Sequence, residues 1–287
     1  MTDATRITGF ERGALSFTVR DTGPADGTPV VLLHGFPQNS SSWAAVAERL
    51  NHAGYRTLAP DQRGYSPQAT PRGRRHYRLG ELVDDVVALV ERAGAGPVHL
   101  VGHDWGAAVA WGVAALHPRR LRSLTAVSVP HPSAFASSML RSNQLAMSWY
   151  MAMFQLPWLP EWLMRTKDGF VQTMLTRTGQ TPAAARRDIR MLQQGHTATG
   201  ALNYYRALPW SLPSMPALRR PITVPTLQVW SDRDTAVGVK GHELSERFVA
   251  APWRLVTLPG VSHWVPEEAP AELAGLIDEH AASTAAG

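Results

Sequence analysis

The chain has 287 residues, of which 44% are hydrophobic and 18% charged, and its formal net charge is +5. This length accommodates one large domain or a core domain with an insertion, and the absence of cysteine excludes disulfides, zinc–thiolate sites and cysteine nucleophiles. The N-terminus does not resemble a signal peptide and no stretch reaches the roughly 18 apolar residues of a membrane span, so we expect a cytoplasmic protein without a membrane partner.

Short apolar runs alternate with amphipathic segments over the first 131 residues. Residues 6–20 predict an antiparallel hairpin that turns at Glu11-Arg12-Gly13. Further strands are predicted at 29–33, 55–59, 98–101 and 121–129, and helices at 43–50, 81–92 and 106–116. This alternation predicts an α/β fold whose central sheet is mostly parallel and carries helices on both faces.

The alternation stops at about Pro132 and resumes after Arg220. The intervening residues contain only helical patterns, interrupted by prolines, whereas strands are predicted again at 223–230 and 254–258 and helices at 239–249 and 270–280. We therefore expect a core domain formed by residues 1–131 and 221–287. Residues 132–220, which we call the insert, are expected to form an all-helical cap on it.

The segment Gly102-His103-Asp104-Trp105-Gly106 follows a buried strand and precedes a helix. Its glycines suit a sharp turn that exposes the central side chain, and the N-terminus of the helix favours an ionised carboxylate there. The simpler alternative is that Asp104 only caps the helix. We interpret His103 as a packed residue at the end of the strand and not as a second base.

Three more polar loops follow predicted strands. His34-Gly35-Phe36-Pro37 can direct a backbone amide at the position of Asp104, so that Phe36 and Trp105 would form an oxyanion hole. Trp230-Ser231-Asp232-Arg233-Asp234 supplies carboxylates, and Gly260-Val261-Ser262-His263-Trp264 a histidine. The order nucleophile, acid, histidine is that of the triad in α/β-hydrolases.

These motifs, together with Asp61-Gln62-Arg63-Gly64-Tyr65, resemble the α/β-hydrolase superfamily and, within it, the epoxide hydrolases, over almost the whole chain. The resemblance implies that Asp104 is the nucleophile, His263 the base and Asp234 the acid that orients it. Serine stands at 231 where the family often has glycine, and Asp232 stays open as the alternative acid.

The resemblance also assigns two lid tyrosines, at Tyr150 and Tyr205. Two phenols can bind the epoxide oxygen and donate a proton as the ring opens; the alternative is that they only pack within the insert, as we expect of Tyr204. A carboxylate nucleophile acts on saturated carbon and forms an alkyl ester, which water activated by His263 then hydrolyses. The implied reaction converts an epoxide to a vicinal diol.

Two other functions remain possible at this level. Haloalkane or haloacid dehalogenases use the same nucleophile, although Phe36 and Trp105 differ from the residues those families carry; a non-catalytic receptor of this fold is the third interpretation. We expect a small apolar epoxide as substrate, bound by Trp105, Trp149, Phe154 and Trp264. The basic run at residues 72–78 predicts a solvated loop, so no nucleic-acid partner is expected, and no motif indicates a cofactor, a metal or an oligomeric state.

Overall fold

The computed structural model describes residues 6–94, 96–211, 217 and 219–284, which build an eight-stranded sheet flanked by helices. The strands are β1 (Gly9–Arg12), β2 (Leu15–Thr22), β3 (Thr28–Leu33), β4 (Tyr55–Pro60), β5 (Val98–His103), β6 (Leu121–Val127), β7 (Thr226–Ser231) and β8 (Trp253–Leu258). The helices before the insert are α1 (Ala44–His52), α2 (Leu79–Ala93) and α3 (Trp105–Leu116). Those after it are α12 (Val239–Ser245), α13 (Val265–Glu268) and α14 (Pro270–Ser283).

The strands run in the order β1-β2-β4-β3-β5-β6-β7-β8. β1 and β2 form the expected antiparallel hairpin, and β4, β3, β5, β6, β7 and β8 are parallel to one another. The predicted mostly parallel sheet is therefore confirmed. β7 begins at Thr226 and not at 223, because Pro221 and Pro225 interrupt the run and Pro225 has no amide to donate to a neighbouring strand.

Strand β3 shows why the central strands are apolar without alternation. Val31 and Leu33 face a core formed with α2 and α3, whereas Val30 and Leu32 face a second core formed with α1 and α14. Successive side chains of a strand point to opposite faces, so a sheet covered on both sides needs apolar residues at every position. The same packing fixes where the carboxyl end of each parallel strand emerges.

The described part of the insert contains eight helices between β6 and β7. They are α4 (Pro132–Met139), α5 (Gln144–Met147), α6 (Trp149–Met153), α7 (Leu159–Thr166), α8 (Asp168–Arg177), α9 (Pro182–Leu192), α10 (Thr197–Arg206) and α11 (Leu208–Ser211). Residues 212–216 and 218 of the expected cap lie outside the described residues. Across the described ranges, none of the helices combines the length and the apolar character required of a membrane span.

Helix α10 of the insert packs directly on the core. A Cβ on Gly200 would lie 2.7 Å from the Cα of Gly64, so the two backbones touch. One turn later the hydroxyl of Tyr204 donates a hydrogen bond of 2.8 Å to the carbonyl of Arg63. α10 is buried along nearly its whole length, and it therefore holds its side chains in fixed positions above the sheet edge.

Gly106→Ala is expected to destabilise the protein, because the new Cβ would lie 2.1 Å from the carbonyl oxygen of Leu33. Forcing a methyl group into packed backbone costs about 1–3 kcal/mol. Gly275→Ala, within α14, is the matched control: nothing lies within 4 Å of its Cβ, and alanine favours a helix by about 0.5–1 kcal/mol over glycine. Urea denaturation of both variants measures the difference; equal midpoints would contradict the packing argument.

Candidate active site

Asp104 lies in the turn between β5 and α3, in a backbone conformation that L-amino acids rarely adopt. Its φ is 52° and its ψ −120°, and a Cβ on Gly102 would lie 2.2 Å from the carbonyl oxygen of Gly106. The Asp104 side chain makes no capping hydrogen bond to α3, so helix capping does not explain the residue. Strain of this kind is retained where it presents a functional side chain.

The two oxygens of the Asp104 carboxylate have different surroundings. Oδ1 accepts a hydrogen bond of 2.7 Å from the Phe36 amide, which approaches because Gly35 has no side chain: a Cβ there would lie 2.3 Å from the Cβ of Asp104. Trp105 is the first residue of α3, and its amide is a donor without a partner within the helix. A contact between that amide and Oδ1 stays a prediction.

His263 lies beside the second oxygen of Asp104. Its Nε2 is 3.6 Å from Asp104 Oδ2, and its Nδ1 is 2.7 Å from Oδ2 of Asp234. The other oxygen of Asp234 accepts hydrogen bonds of 2.7 and 2.9 Å from the amides of residues 236 and 237. Asp232, the alternative acid, is exposed and accepts from the Gly260 amide instead. The geometry therefore brings Asp234, and not Asp232, to the histidine.

The pKa values of His263 and Asp104 are shifted by the charges around them. Burial lowers the pKa of His263, but the charges of Asp234 and Asp104 outweigh it and raise the pKa to about 10. Burial raises the pKa of Asp104, and the hydrogen-bonding and charge interactions with His263 outweigh it, so the pKa ends below its usual value. At neutral pH the unreacted site thus holds an imidazolium beside the carboxylate of Asp104.

His103 supports the backbone of His263. Its Nε2 is 2.8 Å from the His263 carbonyl oxygen, to which it donates, and the hydroxyl of Ser128 donates to the same oxygen at 3.2 Å. Burial, together with the positive charge of His263, lowers the pKa of His103 to about 4, so the ring is neutral at physiological pH. His103 is a packed residue at the end of β5, as its sequence position suggested.

The two tyrosines assigned by the resemblance come from different helices of the insert. Tyr150 lies on α6 and Tyr205 on α10, with ring centroids 6.0 Å apart and nearly perpendicular planes. Tyr205 also packs edge-on against Trp105, at 5.1 Å. Burial raises the pKa of both phenols well above the usual value, and the negative charge of Asp104 adds to the effect. Both remain neutral donors throughout the physiological range.

Asp104, Tyr150 and Tyr205 lie at the junction of two cavities between the insert and the sheet edge. The larger arm has a volume of about 700 Å³ and is lined by Trp105, Phe135 and Leu208, among other apolar residues. The smaller arm has a volume of about 390 Å³. Its lining includes His263 and the predicted substrate-binding residues Trp149, Phe154 and Trp264. A molecule with its reactive carbon at Asp104 could extend into both arms.

Our sequence interpretation missed that methionine side chains line both arms of the cavity. Apart from Met1, all the methionines of the chain fall between residues 139 and 215. Six of them line the arms: Met139, Met147, Met151, Met153, Met164 and Met174. Their clustering in the insert was visible in the sequence and could have indicated an adaptable apolar site, because the unbranched thioether fits irregular shapes.

The insert also contacts both residues that flank His263. The indole of Trp264 donates a hydrogen bond of 3.1 Å to the hydroxyl of Thr178. Gly179 lies against Ser262 so closely that a Cβ on it would be 2.3 Å from the Ser262 Cβ and hydroxyl. These two contacts, between residues 178–179 and 262–264, tie the loop of the histidine to the insert.

Comparisons with known proteins identify the family of the chain. A model of the alpha/beta hydrolase fold family matches residues 28–270. The chain is 35% identical to Epoxide hydrolase 2 of Caenorhabditis elegans, over 87% of this chain and 72% of that protein. It is 34% identical to the AB hydrolase superfamily protein YfhM of Bacillus subtilis (strain 168), over 93% and 94% of the two chains.

Among solved structures, the chain resembles Epoxide Hydrolase A from Mycobacterium thermoresistibile. The TM-score is 0.82 and the sequence identity 26%, with 95% of this chain and 96% of that one covered. Because the match covers 95% of this chain, it includes most of the core and most of the insert. The chain therefore belongs to the α/β-hydrolase fold family and, within it, to the epoxide hydrolases.

Proposed function

We propose that the protein hydrolyses apolar epoxides to vicinal diols through a covalent ester on Asp104, with the insert acting as a cap over the site. One observation carries the proposal: the carboxylate has one oxygen bound by the Phe36 amide and the other facing His263. The same carboxylate shares both cavity arms with two neutral phenols. A carboxylate is a nucleophile for saturated carbon, and neutral phenols are acids for the oxygen that leaves it.

In the first step, Oδ2 of Asp104 attacks one carbon of the epoxide and the bond from that carbon to the ring oxygen breaks. Tyr150 and Tyr205 hydrogen-bond the oxygen, and one of them donates a proton to it and is left as a tyrosinate. The product is a hydroxyalkyl ester of Asp104. Oδ1, which remains at the Phe36 amide, becomes the carbonyl oxygen of this ester.

Esterification removes the negative charge of Asp104, which is one of the interactions that raise the pKa of His263. The pKa therefore falls, and His263 passes its proton by way of solvent to the tyrosinate, which restores the phenol. The neutral imidazole, oriented by Asp234, then takes a proton from water. The hydroxide attacks the ester carbon, and the charge that develops on Oδ1 is stabilised by the amide of Phe36 and, as we expect, of Trp105. Collapse of the tetrahedral intermediate expels the alkoxide, which takes a proton from His263 and leaves as the diol. The acid proton of Asp104 then passes to His263, which restores the carboxylate and the imidazolium.

Turnover of a chromogenic styrene-oxide-type substrate tests the proposal, with diol formation above the uncatalysed rate as the expected result. Halide release from bromoalkanes without epoxide opening would instead identify a dehalogenase. An absence of both reactions, with unperturbed folding, would favour the receptor interpretation. A cytoplasmic location and the absence of a cofactor stay predictions from the sequence.

The rate of ester hydrolysis is expected to rise with pH, because only the neutral form of His263 can accept a proton from water. The apparent pKa of this rise should lie below the value of about 10 in the unreacted site, since the ester no longer carries the charge of Asp104. Single-turnover experiments quenched at successive pH values measure it. An ester hydrolysis rate that falls as the pH rises would contradict the role of His263.

A further inference from the structure

The insert exposes several large apolar side chains on the helices that surround the smaller arm. Trp158 is 72% exposed, Trp149 56%, Phe170 52% and Trp162 45%. Trp158 immediately precedes α7, and Trp162 lies in the first turn of that helix. Trp149 and Phe170 line the smaller arm itself. Aromatic side chains exposed together in this way mark an interaction surface.

Trp158 has a strained backbone and an exposed side chain. Its φ is 53°, a value that a bulky residue adopts only when the surroundings impose it. The strain is not offset by burial, because Trp158 is the most exposed tryptophan among the exposed hydrophobic residues of the described chain. Strained exposed residues of this kind point to a function outside folding.

Basic residues accompany the aromatic ones. The Nζ of Lys167 lies 5.1 Å from the centroid of the Trp162 ring, Arg165 is exposed on α7, and Arg177 lines the smaller arm. Residues 132–220 contain ten lysine or arginine residues and three acidic ones, a net charge of +7, whereas the remainder of the chain carries −2. The positive charge of the protein is thus concentrated in the insert.

We propose that this surface docks on a lipid bilayer that contains anionic lipids. We call it the aromatic–basic patch: Trp149, Trp158, Trp162, Arg165, Lys167, Phe170 and Arg177. Tryptophan is amphipathic and suits the interface of a bilayer, and lysine and arginine interact there with anionic headgroups while their stems cover apolar surface. A second copy of the chain fits this patch less well, because two inserts of charge +7 would repel each other.

Docking would place the opening of the smaller arm against the bilayer, where apolar molecules concentrate. Delivery of substrate by this path depends on the proposed function, whereas the docking itself does not. The sequence-based expectation of no membrane partner considered only membrane-spanning segments, and a peripheral surface lies outside that argument.

Co-sedimentation with vesicles tests the docking. Vesicles of phosphatidylcholine with a minor share of phosphatidylglycerol should bind the protein, and both high salt and pure phosphatidylcholine should weaken binding. The variant with Trp158→Ser and Trp162→Ser should bind at least about tenfold more weakly. Val239→Ser, which changes an exposed apolar residue of α12 outside the insert and outside both arms, should bind as the unchanged protein does.

The charge is tested by Arg165→Glu with Lys167→Glu, which should weaken binding to the anionic vesicles, against Arg92→Glu on α2, which should not. Activity on a water-soluble epoxide should be the same in all these variants, so a failure of the proposed function is seen separately. Absence of binding at low salt, or equal binding by the patch variants, overturns the proposal. A dimer that disappears in the tryptophan variant would assign the patch to a second copy and overturn it as well.

Discussion

His263→Gln is expected to abolish turnover while an ester accumulates on Asp104. The nucleophile keeps its Phe36 contact, so alkylation continues, more slowly because loss of the His263 charge raises the pKa of Asp104, whereas hydrolysis loses the base that activates water altogether. General-base catalysis contributes about 10²- to 10⁴-fold, and we expect a loss of this size in the steady state. Mass spectrometry should find the peptide with Asp104 heavier by one substrate molecule.

The matched control for this experiment is His52→Gln. His52 is exposed at the end of α1, so the same exchange there should change neither the rate nor the mass of any peptide. Finding Asp104 unmodified in His263→Gln after addition of substrate would contradict a covalent mechanism. An ester found on another residue would show that Asp104 is not the nucleophile.

Tyr150→Phe and Tyr205→Phe are each expected to slow alkylation by about 10²-fold, and the double variant by about 10⁴-fold, because the oxygen of the opening ring loses its proton donors. Substrate binding should change little, since phenylalanine preserves the apolar lining. The burst of ester formation, measured by stopped-flow tryptophan fluorescence, reports the alkylation rate directly. A double variant that alkylates at the unchanged rate would remove the tyrosines from the mechanism.

Tyr204→Phe is the control for these two variants. Its hydroxyl donates to the carbonyl of Arg63 and does not take part in the proposed chemistry, so alkylation should be unaffected. Loss of that hydrogen bond should lower the free energy of unfolding by about 0.5–1.5 kcal/mol. A slowed reaction in Tyr204→Phe would mean that the neighbouring tyrosines have exchanged roles.

The order and type of the core elements followed from the sequence because each parallel strand is covered on both faces. A strand such as β3 must then be apolar throughout, and this pattern is readable without a structure. The ends of the elements were less readable: α12 was expected to continue to Val249, but it ends at Ser245 and a short 3₁₀ turn follows. The order of the strands in the sheet could not be predicted, because no local sequence pattern indicates which strands pair.

The residues around the nucleophile were predictable because they all follow strands, and parallel strands end at the same edge of the sheet. The choice of Asp234 over Asp232 rested on the family resemblance alone, since two residues of one loop differ only in the direction of their side chains. The two arms of the cavity could not be predicted from the sequence either. They arise from the packing of the helices of the insert, and the periodicity of a sequence does not determine how helices lie relative to one another.

The contacts of Thr178 and Gly179 with the loop of His263 restrict how the diol can leave. Moving residues 178–179 away from the core would break the hydrogen bond to Trp264 and displace the backbone that orients His263. A motion of that kind would have to be reversed before the next ester could be hydrolysed. We therefore expect residues 178–179 to stay in place during the reaction cycle. Substrate and product would then enter and leave along the two arms of the cavity.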